Sequence, residues 1–260
     1  MIIEKDRIVS KKAINTLAKS YNTLDYSVKL ATLLKNVLPT ENFDIFSKFE
    51  LHKRLNDILL QNYKGEEILK YKLFQQFIKK RNLIAAFETK VNNSRVDFLT
   101  INGHTTSFEI KSELDNLTKL SKQMADYMLA FEFNYLVVDE LHIKKAKDLL
   151  PAGYGLWSYK GGKYKKLIKA ELNDKINPEV QLRLLTKQEL VNDFSGIGGV
   201  IKDILNSYDA YYINKRFKKT LKNRYRSRWE FLINNQDCIF PIDIQFFFNT
   251  NIQPSDIYYH

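Results

Sequence analysis

Between residues 83 and 170 the chain changes its hydrophobic period, and this change limits the possible folds more than any other feature. LIAAFETKV, RVDFLTI and TTSFEIKSE are short segments rich in β-branched and aromatic residues. Asn102-Gly103, between the second and third, is a strong hairpin signal. A helix is expected from Asp115 to about Phe131, with Asp115 as N-cap. Leu117, Leu120, Met124, Met128 and Phe131 would form its buried stripe. FNYLVVDE then reads as a strand whose continuous apolar centre suits a sheet covered on both faces. HIKKAKDLL predicts a short helix, and GLWSYK with KYKKLIKA a hairpin about Gly161-Gly162. The order β-β-β-α-β-α-β-β predicts an α/β fold, a central mixed sheet flanked by helices.

Both flanks read as helical, which divides the chain into a helical N-terminal region (1–82), a core (83–180) and a basic helical C-terminal region (181–260). In the first, Thr40 is the expected N-cap of a helix carrying Leu51, Leu55, Ile58 and Leu59. Gly65 ends that pattern, and Ile68, Leu69, Phe74, Phe77 and Ile78 start another. In the last, Thr186 and Glu189 have capping-box spacing. Gly196, Gly198 and Gly199 interrupt the pattern before a long helix expected over Ile201–Trp229. The aromatic tail CIFPIDIQFFF reads equally as strand or helix.

Composition excludes several classes. With a single cysteine, Cys238, there is no intrachain disulfide, and with four scattered histidines a structural zinc site is not expected. No apolar run reaches the roughly 18 residues a membrane helix needs. The start, MIIEKDRIVSKK, lacks the apolar stretch of a secretory signal, so a cytoplasmic protein is expected. Lys plus Arg is 41 against 30 Asp plus Glu, a net charge of +11, which favours an acidic partner such as nucleic acid.

The residues that suggest chemistry lie in VDFLTINGHTTSFEIK. Glu109 and Lys111, two apart on one strand, leave the same face, while Phe108 and Ile110 point the other way. Whether Asp97 joins them depends on the hairpin. A two-residue turn at Asn102-Gly103 would place Asp97 opposite Phe108, on the wrong side. A three-residue loop with Gly103 in the left-handed region would place it opposite Ser107, on the side of Glu109; a one-residue bulge would also restore that side. An odd loop or a bulge is therefore expected. Two carboxylates on one face make a hard oxygen site of the kind Mg²⁺ takes, and an adjacent lysine stabilises charge on a phosphate under attack.

Asp97, followed after eleven residues by Glu109-Ile110-Lys111, resembles the signature of the PD-(D/E)XK nuclease superfamily. Gln123 and Tyr127, at i and i+4 of the next helix, resemble the QxxxY motif of its RecB-like branch. Glu88 stands where that branch carries an additional acid. The resemblance covers about residues 66–190, and the motif proline is replaced by Val96. It implies a restriction-endonuclease-like core, with Mg²⁺ (or Mn²⁺) held by Asp97, Glu109, the Ile110 carbonyl and Glu88. It further implies a catalytic set of Asp97, Glu109, Lys111, Glu88, Gln123 and Tyr127. No small-molecule cofactor is expected.

A second feature is the run YYINKRFKKTLKNRYRSRW, with eight basic residues and no acid. Phe217, Leu221, Tyr225 and Trp229 recur every four residues and would be buried. Lys215, Lys218, Lys219, Lys222 and Arg226 would face phosphates, giving salt-sensitive affinity without sequence reading. The expectation is a metal-dependent DNA nuclease, with roles in phage defence, restriction or repair and a homodimer as one arrangement. The alternatives are a catalytically silent nucleic-acid-binding module and a protein that docks an acidic partner through its basic helix.

Overall fold

The computed structural model describes residues 10–194 and 198–260; the chain start and Gly196 lie outside the described residues. Among the described residues the elements are α1 (Lys11–Ser20), α2 (Ser27–Val37), α3 (Lys48–Asn62), α4 (Glu66–Phe77), β1 (Ile84–Val91), β2 (Ser94–Asn102) and β3 (His104–Lys111). There follow α5 (Leu120–Met128), β4 (Phe133–Asp139), α6 (Ile143–Leu149), β5 (Gly155–Lys160), β6 (Lys163–Ile168), α7 (Pro178–Arg183), α8 (Lys187–Asp193), α9 (Ile201–Ser207), α10 (Ala210–Asn234), α11 (Ile244–Thr250) and α12 (Pro254–Tyr258). None of these helices is long and apolar enough to cross a membrane.

The contacts divide the chain into two compact units. One is Lys72–Glu230; the other joins the segment up to Tyr71 with the segment from Phe231 onward. These boundaries differ from the expected 82/83 and 180/181, and the two terminal segments are one unit rather than two regions.

The 72–230 unit holds one six-stranded mixed sheet in the order β1-β2-β3-β4-β5-β6. β1, β2 and β3 are antiparallel, as are β5 and β6, whereas β3-β4 and β4-β5 are parallel. Each parallel pair needs a crossover, supplied by α5 and α6. The β5–β6 hairpin closes at Lys160↔Lys163 over Gly161 and Gly162, both at positive φ (56° and 82°), as a two-residue primed turn requires. One sheet face is aromatic. Phe87, Phe98, Phe108, Tyr135 and Trp157 run across it, with successive ring centroids 5.0–6.1 Å apart, and Phe77 and Trp229 cover it. On the opposite face Leu136, Val138 and Leu156 meet Leu117, Leu120, Met124, Ala146 and Tyr154.

Several helix ends differ from expectation. The helix placed at Asp115 begins at Leu120; the Asp115 carboxylate instead accepts from the Ser112 amide and hydroxyl (2.7 and 2.6 Å), closing a separate turn. The stripe is buried except for half-buried Met128. The Ile201–Trp229 helix is two helices, because Tyr208 is extended (ψ 144°) and Asp209 accepts from the Tyr212 amide at 2.7 Å, starting α10 anew. The Thr186–Glu189 capping box is present.

In the other unit, the cap of α3 is Ser47 with Glu50, a complete capping box, not Thr40. Leu17, Leu30, Leu34, Phe43, Leu51, Leu55 and Leu59 form its apolar core. The aromatic tail is helical: Pro241 opens a turn before α11, and Pro254 opens α12, both at positions where a missing amide is harmless. A polar cluster lies inside this unit. Asp243, wholly buried, accepts from the hydroxyls of Tyr21 (2.8 Å), Thr23 (2.7 Å) and Tyr258 (2.8 Å). The Tyr21 oxygen lies 2.8 Å from His52 Nδ1 and accepts from Asn56 at 3.1 Å.

Candidate active site

The β2–β3 hairpin decides whether the acids converge. Its pairing closes at Asn102↔His104 with Gly103 alone between them, at φ 78°. The loop is odd, as expected, but the register is moved by two from the expected one: Ser107 pairs with Leu99, and Asp97 stands level with Glu109. Asp97, Glu109 and Lys111 therefore share the face opposite the aromatic row.

The two strands part at this level. The last β2–β3 pair is Phe98↔Phe108, although β2 continues beside β1 to Ser94 and β3 beside β4 to Lys111. In the gap the Asp97 carboxylate takes the place of a ladder carbonyl and accepts from the Ile110 amide at 2.6 Å. β1 is distorted beside it. Phe87↔Phe98 and Thr89↔Val96 flank Glu88, which adopts φ 54°, a region that a non-glycine residue enters at a cost of about 1–3 kcal/mol. Glu88, Asp97 and Glu109 thus form one level across three strands, and Glu88 Oε2 lies 3.8 Å from Arg95 Nε.

Glu109 is fully buried. One carboxylate oxygen is paired with the Lys111 ammonium, and the other accepts from the Tyr127 hydroxyl at 2.7 Å. The Tyr127 oxygen is also 2.7 Å from the Arg95 carbonyl. Burial, then the neighbouring Glu109 charge, hold the Tyr127 phenol far above its ordinary pKa, so it remains a neutral donor. Gln123, one turn earlier on α5, is half-buried and brings no hydrogen bond to this cluster.

The donor set suits a hard divalent ion. Asp97 and Glu109 bring two negative charges and only oxygen atoms, Lys111 brings one positive charge, and the Ile110 carbonyl lies between them in sequence. Access is narrow: the Lys111 side chain is 11% exposed and Asp97 7%.

The basic run is less free than its composition suggests. Lys218 turns inward to Glu132 (2.8 Å), Arg216 to Asp193 and Arg224 to Glu189. Lys218 is therefore a structural ion-pair partner rather than an outward phosphate contact. Its acid could not be found within the run because Glu132 lies 86 residues away. Glu132 also accepts from the Thr105 amide and from Asn214; against its burial, the Lys218 ammonium first and then these donors hold its pKa below the ordinary value. Lys215 and Lys219 are exposed on α10, Lys222 is half-buried, and Arg226 is exposed with Glu230 3.7 Å away one turn on. Their spacing of four, three and four residues aligns them in one stripe.

Fold and site together define an α/β protein with a carboxylate–lysine cluster where two strands of a mixed sheet part. The chain belongs to the bacteriophage P4 protein cII family, whose model matches residues 59–258. It is similar to protein cII of Enterobacteria phage P4, with 26% identity over 132 residues, 49% of this chain and 46% of that protein; it thus spans about half the length of the curated relative it matches. A solved protein of unknown function from Silicibacter pomeroyi is similar at a TM-score of 0.34, with 19% identity, covering 45% of this chain and 77% of that one.

Proposed function

We propose that the chain is a cytoplasmic Mg²⁺-dependent nuclease of the PD-(D/E)XK type, acting on DNA. The observation that carries this reading is the convergence of Asp97, Glu109, Lys111 and Tyr127 at the point where β2 and β3 part. Asp97, Glu109 and the Ile110 carbonyl would hold the ion, with Glu88 beside them. The ion would supply a Lewis acid and a water of lowered pKa. Tyr127 fixes the Glu109 carboxylate, and the Ile110 amide fixes that of Asp97, so both acids are oriented before a ligand arrives. Lys111 supplies positive charge where the phosphate gains negative charge as the water oxygen attacks phosphorus. The attacking water gives up a proton to solvent as its oxygen bonds to phosphorus; the bond to the leaving oxygen breaks, and that oxygen takes up a proton from solvent. The surface stripe Lys215, Lys219, Lys222 and Arg226 offers further phosphate contacts.

One observation favours a second reading, a silent nucleic-acid-binding module: Glu109 is fully buried, with both oxygens engaged by Lys111 and Tyr127. Incubating single- and double-stranded DNA with protein and Mg²⁺ or Mn²⁺, beside Lys111→Ala, separates the two. Cutting by wild type that Lys111→Ala loses supports the nuclease. Salt-sensitive binding without cutting supports the module, and equal cutting by both proteins removes this site from the reaction.

A further inference from the structure

A second cationic surface lies on the 72–230 unit at the edge of its sheet. β6 is an edge strand, and from Lys160 to Lys169 the sequence KGGKYKKLIK carries five lysines and no acid. Lys160 is paired with Glu140, whereas Lys163, Lys165, Lys166 and Lys169 are exposed. Lys166 lies over the Trp157 ring, 5.1 Å from its centroid, and Lys80, just after α4, lies over the Phe77 ring at 4.4 Å. Among the described residues neither ammonium is paired with a carboxylate. The two rings beneath them, Phe77 and Trp157, both pack on Phe108 with centroids 5.4 Å away, and, after partial burial, the Lys166 charge depresses the pKa of Lys80. Lys79 and Arg81 adjoin Lys80, both exposed.

Edge lysines ordinarily keep another strand from pairing. Here that task is already served by a bulge: Leu156↔Ile168 and Trp157↔Lys166 leave Leu167 over, which disrupts the edge. Protection of an edge also gives no reason to bring Lys80, from a different segment, beside Lys166. Like charges held together over aromatic rings repel each other unless an anion lies between them, and an extended strand rim suits an extended polyanion.

We propose that Lys80 and Lys166, flanked by Lys163, Lys165 and Lys169, bind the sugar-phosphate backbone of a nucleic-acid strand along the β6 edge. The proposal rests on nucleic acid being the partner, as read above, but not on cleavage. The contacts are to phosphates, so binding does not depend on base sequence and weakens steeply with salt.

Fluorescence anisotropy of labelled single-stranded and duplex DNA, in EDTA, tests this on the full chain. Lys80→Gln/Lys166→Gln is compared with wild type, with Lys80→Arg/Lys166→Arg and with the charge-matched pair Lys144→Gln/Lys145→Gln, all with melting profiles like wild type. The expected result is roughly tenfold weaker binding by the first variant and a salt slope smaller by about two, with the arginine pair and the control near wild type. Unchanged affinity and slope would overturn the proposal, as would capture by phosphatidylserine vesicles but not by DNA. Because the assay contains EDTA it reads binding alone: absence of cutting in a parallel Mg²⁺ reaction, with DNA binding and its dependence on Lys80 and Lys166 intact, overturns only the cleavage reading and is distinguished from a failure of this one.

Discussion

The buried Asp243–Tyr21–His52 cluster makes a quantitative prediction, because its two ionisable ends are displaced in opposite directions. Burial raises the Asp243 pKa from 3.8 to about 6 against the hydroxyl donors of Thr23, Tyr21 and Tyr258. Burial, with the Lys48 charge, lowers that of His52 from 6.5 to about 4. At pH 7 Asp243 is ionised in both the folded and the unfolded state, and the folded state bears the cost, about 3 kcal/mol at 1.36 kcal/mol per pKa unit. Acidification through pH 6 toward 4 relieves that cost, so this group alone would make the unit more stable at low pH. His52 does the reverse. Below pH 6.5 the unfolded chain takes up a proton that the folded chain refuses until about pH 4, which removes about 3 kcal/mol.

The two slopes nearly cancel in the wild-type protein and separate when either group is removed. Relative to wild type, Asp243→Asn is expected to lose about 3 kcal/mol between pH 6.5 and 4, and His52→Asn to gain a similar amount between pH 6 and 4. Hydrogen exchange of the α3 amides, corrected for intrinsic rates, reads this directly: about 3 kcal/mol is on the order of a hundredfold in protection. Slopes of the same sign in the two variants, or slopes no different from wild type, would refute the assignment of either proton.

Other substitutions test the sheet and the basic helix. At Gly155 an added Cβ would lie 2.1 Å from the Tyr135 ring and 2.8 Å from the Ala170 amide nitrogen. Gly155→Ala is expected to cost about 1–3 kcal/mol in urea unfolding; a neutral result would mean that the ring has room to move. Lys218→Ala leaves the buried Glu132 without its ammonium and is expected to cost about 1.5–3 kcal/mol, whereas Lys219→Ala on the surface stays within about 0.5 kcal/mol. Equal melting temperatures for the two would contradict the inward placement of Lys218.

The sheet was legible in the sequence because its signals are local. Val and Ile runs, Asn102-Gly103 and Gly161-Gly162 each specify geometry within a few residues, and the side of the sheet taken by Asp97 followed from the parity of one hairpin. Its register did not, because the loop closed on Gly103 alone. What the sequence concealed depends on distant partners. Glu132 withdraws Lys218 from the basic face, Asp243 gathers Tyr21, Thr23 and Tyr258, and neither pattern repeats at a helical or strand period. The false caps at Thr40 and Asp115 have a common cause: a good capping residue precedes each helix, but a later residue or turn starts it. The strain at Glu88 also has no local signature, since its neighbours read as ordinary strand.

The claim on which the functional reading depends is that Asp97 and Glu109 hold one divalent ion. Water-proton relaxation during Mn²⁺ titration measures this without any reaction. Wild type is expected to show one saturable site and Asp97→Asn to lose it, while Lys219→Gln keeps it. Indistinguishable titrations for wild type and Asp97→Asn would contradict the metal site and the nuclease built on it.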